Sequence, residues 1–182
     1  DGHETPITQM EAVQNAIDDL DEIAKRKGAI SGITTGYKDL DEGLQGFQRS
    51  ELNILAARPS VGKTSLAICL YKNAIESNIP AGFIDLETNL NRVVQKQLSN
   101  MSRVSFSKIR KSQMSHDERR LIGEASSKLS SYPGTLVNVP YPTVNKIRSI
   151  ARQMVHKTGI HILFIDYLQL INPEGKIESQ QQ

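Results

Sequence analysis

The sequence predicts an α/β fold with a mostly parallel sheet and helices on both faces of that sheet. Amphipathic segments of helical length alternate with short apolar segments of strand length, and this alternation is typical of doubly wound sheets. A chain of 182 residues with 38% hydrophobic and 23% charged residues has the composition of a globular protein. The length is sufficient for one domain with a substantial core.

An amphipathic helix is predicted over residues 8–27. Thr8 and Glu11 stand at the spacing of a capping box, in which each side chain bonds the backbone N–H of the other residue. Apolar residues then recur at helical spacing, namely Met10, Val13, Ile17, Leu20 and Ile23. Gly28 stands where a helix stop is expected. This stripe either packs on the core of the same chain or docks on a neighbouring subunit, and the spacing leaves both alternatives open.

The remaining elements follow in order after a turn-rich stretch with short strands over residues 28–46. The predicted strands are residues 51–57, 81–86, 135–139 and 160–165. The predicted helices are residues 63–77, residues 91–101, a helix that begins at a Ser115–Glu118 capping box, and a helix that is capped by Thr143 and ends near Gly159. Residues 160–165 are almost continuously apolar, which predicts a central parallel strand covered on both faces.

Composition excludes several kinds of site and setting. The net charge of +2 does not by itself indicate a nucleic-acid or membrane partner. Cys69 is the only cysteine, which excludes a disulfide framework and favours a reducing, cytoplasmic compartment. The four histidines do not cluster at metal-ligand spacing, so no zinc site is expected. No uncharged apolar run approaches the length of a membrane span.

A phosphate-binding P-loop is predicted between residues 57 and 64. Gly62, Lys63 and Thr64 match the end of the pattern G-x-x-x-x-G-K-[ST], whereas Ala57 stands at its first Gly position. The loop follows an apolar segment and precedes an amphipathic helix, as the motif requires. The residues predicted to bind ATP are Arg58, Pro59, Ser60, Val61, Gly62, Lys63, Thr64 and Ser65.

Each side chain of the loop has an expected task. The backbone N–H groups and the helix N-terminus surround the phosphates. Lys63 is expected to reach the β- and γ-phosphates, Thr64 to ligate Mg²⁺ and Ser65 to contact the α-phosphate.

Carboxylates end two of the predicted strands. Asp166 follows an apolar run and is expected to orient the Mg²⁺ shell, because a buried carboxylate is costly without a partner. Asp85 and Glu87 end residues 81–86 at the same sheet edge, where ligands bind in open α/β folds. Glu87 is the predicted general base for the attacking water. The alternative roles are a turn-forming Asp166 and a capping or ion-paired Glu87.

Four segments carry a family resemblance. Residues 56–64 resemble the Walker A segment of replicative DnaB-type helicases, in which Ala replaces the first Gly. Residues 32–41 are similar to the lead-in segment of that family, and residues 166–171 to its Walker B motif. Residues 84–88 align with its Ser-Leu-Glu-Met motif, where Glu87 is kept but Asp85 and Thr88 differ.

The resemblance implies a RecA-like ATPase core over residues 29–182, preceded by an amphipathic linker helix over residues 1–28. It also implies a homo-hexameric ring around single-stranded DNA, with primase and a helicase loader as partners. The implied activity couples ATP hydrolysis to translocation and duplex unwinding, with Lys63, Glu87 and Asp166 as catalytic residues. The alternatives are another RecA-like ATPase of recombination or repair, and a nucleotide-binding assembly protein without turnover.

Against this family pattern the chain is expected to be truncated after the Walker B strand. The segments expected beyond that strand are a γ-phosphate sensor, DNA-contacting loops and an arginine finger, which is worth ~10³–10⁵ in rate in P-loop enzymes. The isolated chain is therefore expected to bind ATP·Mg²⁺, to hydrolyse it poorly and to self-associate through its first helix.

Overall fold

A computed structural model of the chain describes residues 6–25, 30–58, 60–87 and 89–171. The chain divides into two compact units, Asp1–Asn53 and Ile54–Gln182. Among the described residues, no helix combines the length and the apolar character that crossing a membrane requires.

The first unit begins with helix α1 (Gln9–Lys25), which confirms the predicted helix. Its capping box is formed as predicted. The Thr8 N–H donates to Glu11 Oε2 at 2.8 Å, and the Glu11 N–H donates to Thr8 Oγ1 at 3.2 Å. The predicted end of the helix, including Gly28, lies outside the described residues.

The apolar stripe of α1 faces solvent. Met10 is 82% exposed and Leu20 is 64% exposed, while Val13 and Ile17 are each about half exposed. The stripe is therefore not part of the core of the described chain, and of the two alternatives only docking on another surface would bury it.

A short helix, α2 (Lys38–Leu44), was not predicted in the turn-rich stretch that follows. It places Asp41 against the preceding loop, where Asp41 Oδ2 accepts from Thr34 Oγ1 at 2.6 Å and Oδ1 accepts from the Thr35 N–H at 2.7 Å. Burial acts to raise the pKa of Asp41, but the hydrogen bonds from Thr34 and Thr35 outweigh it and hold that pKa below its ordinary value. An antiparallel bridge between Ile33 and Phe47 closes this loop.

The second unit alternates helices with parallel strands, as predicted. Its elements are α3 (Lys63–Glu76), β1 (Ala81–Asp85), α4 (Leu90–Ser102), α5 (Phe106–Lys111), α6 (His116–Ser131), β2 (Gly134–Asn138), α7 (Val144–Thr158), β3 (Ile162–Asp166) and a single 3₁₀ turn (Leu168–Leu170). The predicted caps are confirmed at both later helices. Ser115 and Glu118 form a full capping box on α6, and the Thr143 hydroxyl accepts from the Lys146 N–H on α7.

The three strands are parallel and lie in the order β2-β1-β3. All five residues of β1 are buried, whereas four of the five in β3 are only partly buried. The prediction that residues 160–165 form the central strand is therefore wrong for the described sheet, in which β1 is central. The apolar run in β3 reflects the helices packed on its faces, and strand order cannot be deduced from the composition of one strand.

Alternate residues of β1 face opposite layers of helices. Phe83 packs edge-on against Tyr71 of α3, with 5.5 Å between the ring centroids. Ile84 packs on the other face in a cluster with Ile147 and Met154 of α7. A Cβ at Gly134, the first residue of β2, would collide with the Tyr71 hydroxyl, so glycine is required there. The helices thus cover both faces of the sheet, as the fold class requires.

The predicted strand over residues 51–57 is absent. These residues form no helix or strand, and Leu52 and Ile54 are 83% and 69% exposed. A strand requires a neighbour for its N–H and C=O groups, and no such partner is present among the described residues. The apolar run predicted burial correctly only on the assumption that a neighbouring strand exists.

Candidate functional site

The predicted phosphate loop leads directly into helix α3. Gly62 is the N-cap residue and has a φ of 113°, a left-handed conformation that glycine adopts without strain. Ser60 also has a positive φ, of 65°, and the Val61 N–H donates to the Arg58 carbonyl at 3.4 Å. Pro59 lies outside the described residues. The chain therefore makes a tight turn immediately before Lys63.

This turn leaves the start of α3 open for an anion. Gly62 has no side chain with which to cap the helix, and no atom lies within 4 Å of the place where its Cβ would be. The first-turn N–H groups of an α-helix have no partner within the helix, and the helix dipole places partial positive charge at this end. Thr64 is half-buried and Ser65 is exposed at the same end. The arrangement suits a phosphate group.

Lys63 lies against the end of strand β3. Its Nζ is 3.9 Å from Asp166 Oδ1, and the Lys63 side chain is 25% exposed while that of Asp166 is 5% exposed. The same Nζ lies 3.9 Å from the centroid of the Tyr167 ring. The fold thus brings together Lys63 and Asp166, which are far apart in the sequence. It also adds Tyr167, which sequence analysis recognised only as part of a motif.

A second carboxylate lies beside Asp166. Asp85 ends β1 and is the register partner of Asp166, and the Leu86 N–H donates to the Asp166 carbonyl at 2.8 Å. Asp85 is 1% exposed, and its Oδ1 accepts from the Glu87 N–H at 3.1 Å. Two buried carboxylates at one sheet edge, next to an ammonium group, provide oxygen ligands of the kind that Mg²⁺ prefers.

Glu87 stands just past the end of β1 with an exposed side chain. It opens onto a shallow cleft of about 790 Å³ that Asn89, Arg92 and Asn138 also line. Asn138 is the last residue of β2, and its Nδ2 donates to the Asp85 carbonyl at 3.0 Å. Sequence analysis missed Asn138, although the rule that strand ends meet at one sheet edge would have placed it there.

The arrangement defines a class of protein. A glycine turn before a helix, a lysine at the first helical position and an aspartate at the end of a parallel strand form the phosphate site of P-loop nucleoside triphosphatases. A model of the DnaB-like helicase C-terminal domain family matches residues 32–182. The chain belongs to that family.

Individual relatives agree with this assignment. The replicative DNA helicase DnaB of Leifsonia xyli subsp. xyli is 30% identical over 178 residues, which cover 97% of this chain and 38% of that protein. The chain therefore spans less than two fifths of the length of this curated relative.

Two solved structures have the same fold. A solved helicase ATPase domain superposes with a TM-score of 0.85 at 25% identity, covering 96% of this chain and 62% of that one. A DnaB-like replicative helicase, whose structure was described together with its interactions with primase, gives a TM-score of 0.83 at 25% identity, covering 96% of this chain and 42% of that one. These comparisons confirm the RecA-like fold class and the resemblance drawn from the motifs.

Proposed function

We propose that the chain is the ATPase core of a replicative DNA helicase and couples ATP hydrolysis to translocation on single-stranded DNA and duplex unwinding. One observation carries the proposal: the ammonium group of Lys63, at the start of α3, lies 3.9 Å from Asp166 at the end of β3. In P-loop enzymes these two positions hold the phosphates and the Mg²⁺ shell, respectively. Membership of the helicase family supports DNA as the track.

The phosphate-binding residues are proposed to be those of the loop and of the first turn of α3. The backbone from Arg58 to Ser65 would surround the phosphates, and Lys63 would contact the β- and γ-phosphates. The open helix N-terminus after Gly62 supports this role, because anions bind where N–H groups lack partners.

Mg²⁺ is proposed to bind between Thr64 and Asp166. The Thr64 hydroxyl is a direct ligand in this proposal, and Asp166 orients the metal's water shell. When bound, Mg²⁺ would neutralise charge on the β- and γ-phosphate oxygens. The buried position of Asp166 supports the role, since an unpartnered carboxylate there would be costly.

Glu87 is proposed as the general base that takes a proton from the attacking water. Its exposed carboxylate lies at the same sheet edge as Asp85 and Asp166, and its own N–H is anchored on Asp85. Since Asp85 accepts that hydrogen bond and is buried, Glu87 has the freer access to water.

The proposed assembly is a homo-hexameric ring, with residues 1–28 as a linker helix and residues 29–182 as the ATPase domain. Primase and a helicase loader are the proposed partners, and the primase interaction stated for a structural neighbour supports the first of them. A reducing, cytoplasmic setting agrees with the free Cys69.

ATP binding and DNA-stimulated turnover test the proposed function. We expect the chain to bind ATP only with Mg²⁺ present, and we expect hydrolysis to rise when single-stranded DNA is added to the assembled ring. Calorimetry measures the binding, and phosphate release measures the turnover. Stimulation by double-stranded DNA alone would favour a recombination or repair ATPase, whereas binding without any turnover in the assembled state would favour an assembly role.

The exposed stripe of α1 provides a test of assembly. We expect the mass of the chain to rise with concentration, and Ile17→Asp to weaken self-association about tenfold or more, because an aspartate cannot be buried in place of an apolar side chain. Sedimentation equilibrium over a range of concentrations measures the shift. Asn15→Asp, which adds the same charge on the opposite side of the helix, is the control and should leave the mass unchanged. Equal behaviour of the two variants would exclude the stripe as the contact.

A further inference from the structure

The ammonium group of Lys63 has two neighbours that come from consecutive residues. Asp166 Oδ1 and the centroid of the Tyr167 ring each lie 3.9 Å from Lys63 Nζ. A cation within about 6 Å of an aromatic ring centroid is attracted by the negative face of the ring. Since the Lys63 side chain is only 25% exposed, solvent screens these contacts less than it would at the surface.

The two neighbours differ in what nucleotide binding does to them. Under the proposed function, Asp166 turns its charge toward the Mg²⁺ shell and loses part of its hold on Lys63. The face of the Tyr167 ring is not a ligand for the Mg²⁺ shell, so its contact with Lys63 meets no such competition. A ring face also leaves the three N–H groups of an ammonium free to point toward phosphate oxygens.

A flexible lysine needs such a support. The side chain has four rotatable bonds, and immobilising it costs rotamer entropy at the moment of binding. A contact that is present both before and after the nucleotide arrives lets part of that cost be met during folding.

We propose that Tyr167 is a positioning residue that holds the Lys63 ammonium through its ring face and keeps it aimed at the phosphate site. The inference rests on the proposed nucleotide-binding function and extends it to a residue to which only the geometry assigns a task. The phenolic hydroxyl takes no part in it.

The ring and the hydroxyl are separated by two substitutions. Tyr167→Leu removes the ring face and is expected to weaken ATP affinity about 3- to 30-fold, whereas Tyr167→Phe keeps the ring and is expected to stay within about twofold of the unsubstituted chain. Calorimetry with ATP and Mg²⁺ measures both, and thermal unfolding followed by circular dichroism verifies that each variant folds. Equal loss in both variants, or loss in neither, overturns the inference.

A double substitution tests whether Tyr167 acts through Lys63. In a Lys63→Met background, Tyr167→Leu is expected to have no further effect on ATP affinity, because the cation has gone. The same loss in both backgrounds would mean that the ring acts on the nucleotide or on the fold, and would overturn the inference.

A spectroscopic readout is independent of affinity. The ε-methylene protons of Lys63 are expected to be shifted upfield by the ring current, with the shift kept in Tyr167→Phe, lost in Tyr167→Leu and retained when ATP·Mg²⁺ is added. Loss of the shift on adding ATP to the unsubstituted chain overturns the inference while leaving nucleotide binding intact. Failure of the unsubstituted chain to bind ATP overturns both the inference and the proposed function.

Discussion

Replacing Glu87 with glutamine is expected to slow ATP turnover by roughly a hundredfold or more while leaving ATP affinity nearly unchanged. Glutamine has the size of glutamate but cannot accept a proton from water, so only the proton-transfer step is lost. Glu87 is exposed at the sheet edge and is held through its N–H on Asp85, so the substitution removes no buried contact. Single-turnover hydrolysis in the assembled ring gives the rate, and calorimetry gives the affinity.

A matched control separates proton transfer from the loss of one negative charge. Glu124→Gln makes the same chemical change on α6, where Glu124 pairs with Arg120 on the surface, and it should leave turnover unaffected. If Glu87→Gln retains full turnover, the general base is another carboxylate, and Asp85 is the next candidate to test. If affinity falls together with turnover, Glu87 contacts the bound nucleotide and the proposed division of roles fails.

Replacing Lys63 with alanine is expected to weaken ATP binding by on the order of 1.5–3 kcal/mol, or roughly ten- to a hundredfold, the range for a hydrogen bond to a charged group. Among the residues proposed to bind the phosphates, Lys63 and Arg58 carry positive charge, and only Lys63 lies beside Asp166. Calorimetry with ATP and Mg²⁺ measures the change.

The substitution also leaves Asp166 without its cation, so the stability of the variant has to be measured separately. Thermal unfolding without nucleotide reports that effect, and ATP affinity is compared only if the variant remains folded at the assay temperature. Lys128→Ala, an exposed lysine in the last turn of α6, controls for the loss of one positive charge. ATP affinity that is equal in the Lys63 and Lys128 variants would mean that the loop is not the phosphate site.

Local signals predicted the helices well because the interactions that begin and end a helix lie within a few residues. The reciprocal hydrogen bonds of Ser115 and Glu118, and the Thr143 cap, depend only on neighbouring backbone. The same is true of the P-loop, whose glycine and lysine positions are set by the turn they have to make. Helix α2 escaped prediction because its seven residues are too few for a periodic pattern.

Part of the candidate site could also be predicted from the sequence. Asp166 and Asp85 follow apolar runs, and parallel strands end at one edge of a sheet, so both were expected to be near the start of α3. The register of β1 against β3 agrees with that expectation by pairing these two residues. The catalytic and metal-binding roles given to Lys63, Thr64, Glu87 and Asp166 stay predictions until the substitutions are made.

The sequence by itself determined where helices begin, where the phosphate loop lies and which strands end in carboxylates, because these features depend on contacts between near neighbours. Only the tertiary structure decided that β1 is central rather than β3, that residues 51–57 have no strand partner among the described residues, and that the Tyr167 ring lies against Lys63. Strand order and side-chain contact depend on residues far apart in the chain, and hydrophobic pattern records how buried a segment is without recording which neighbour buries it.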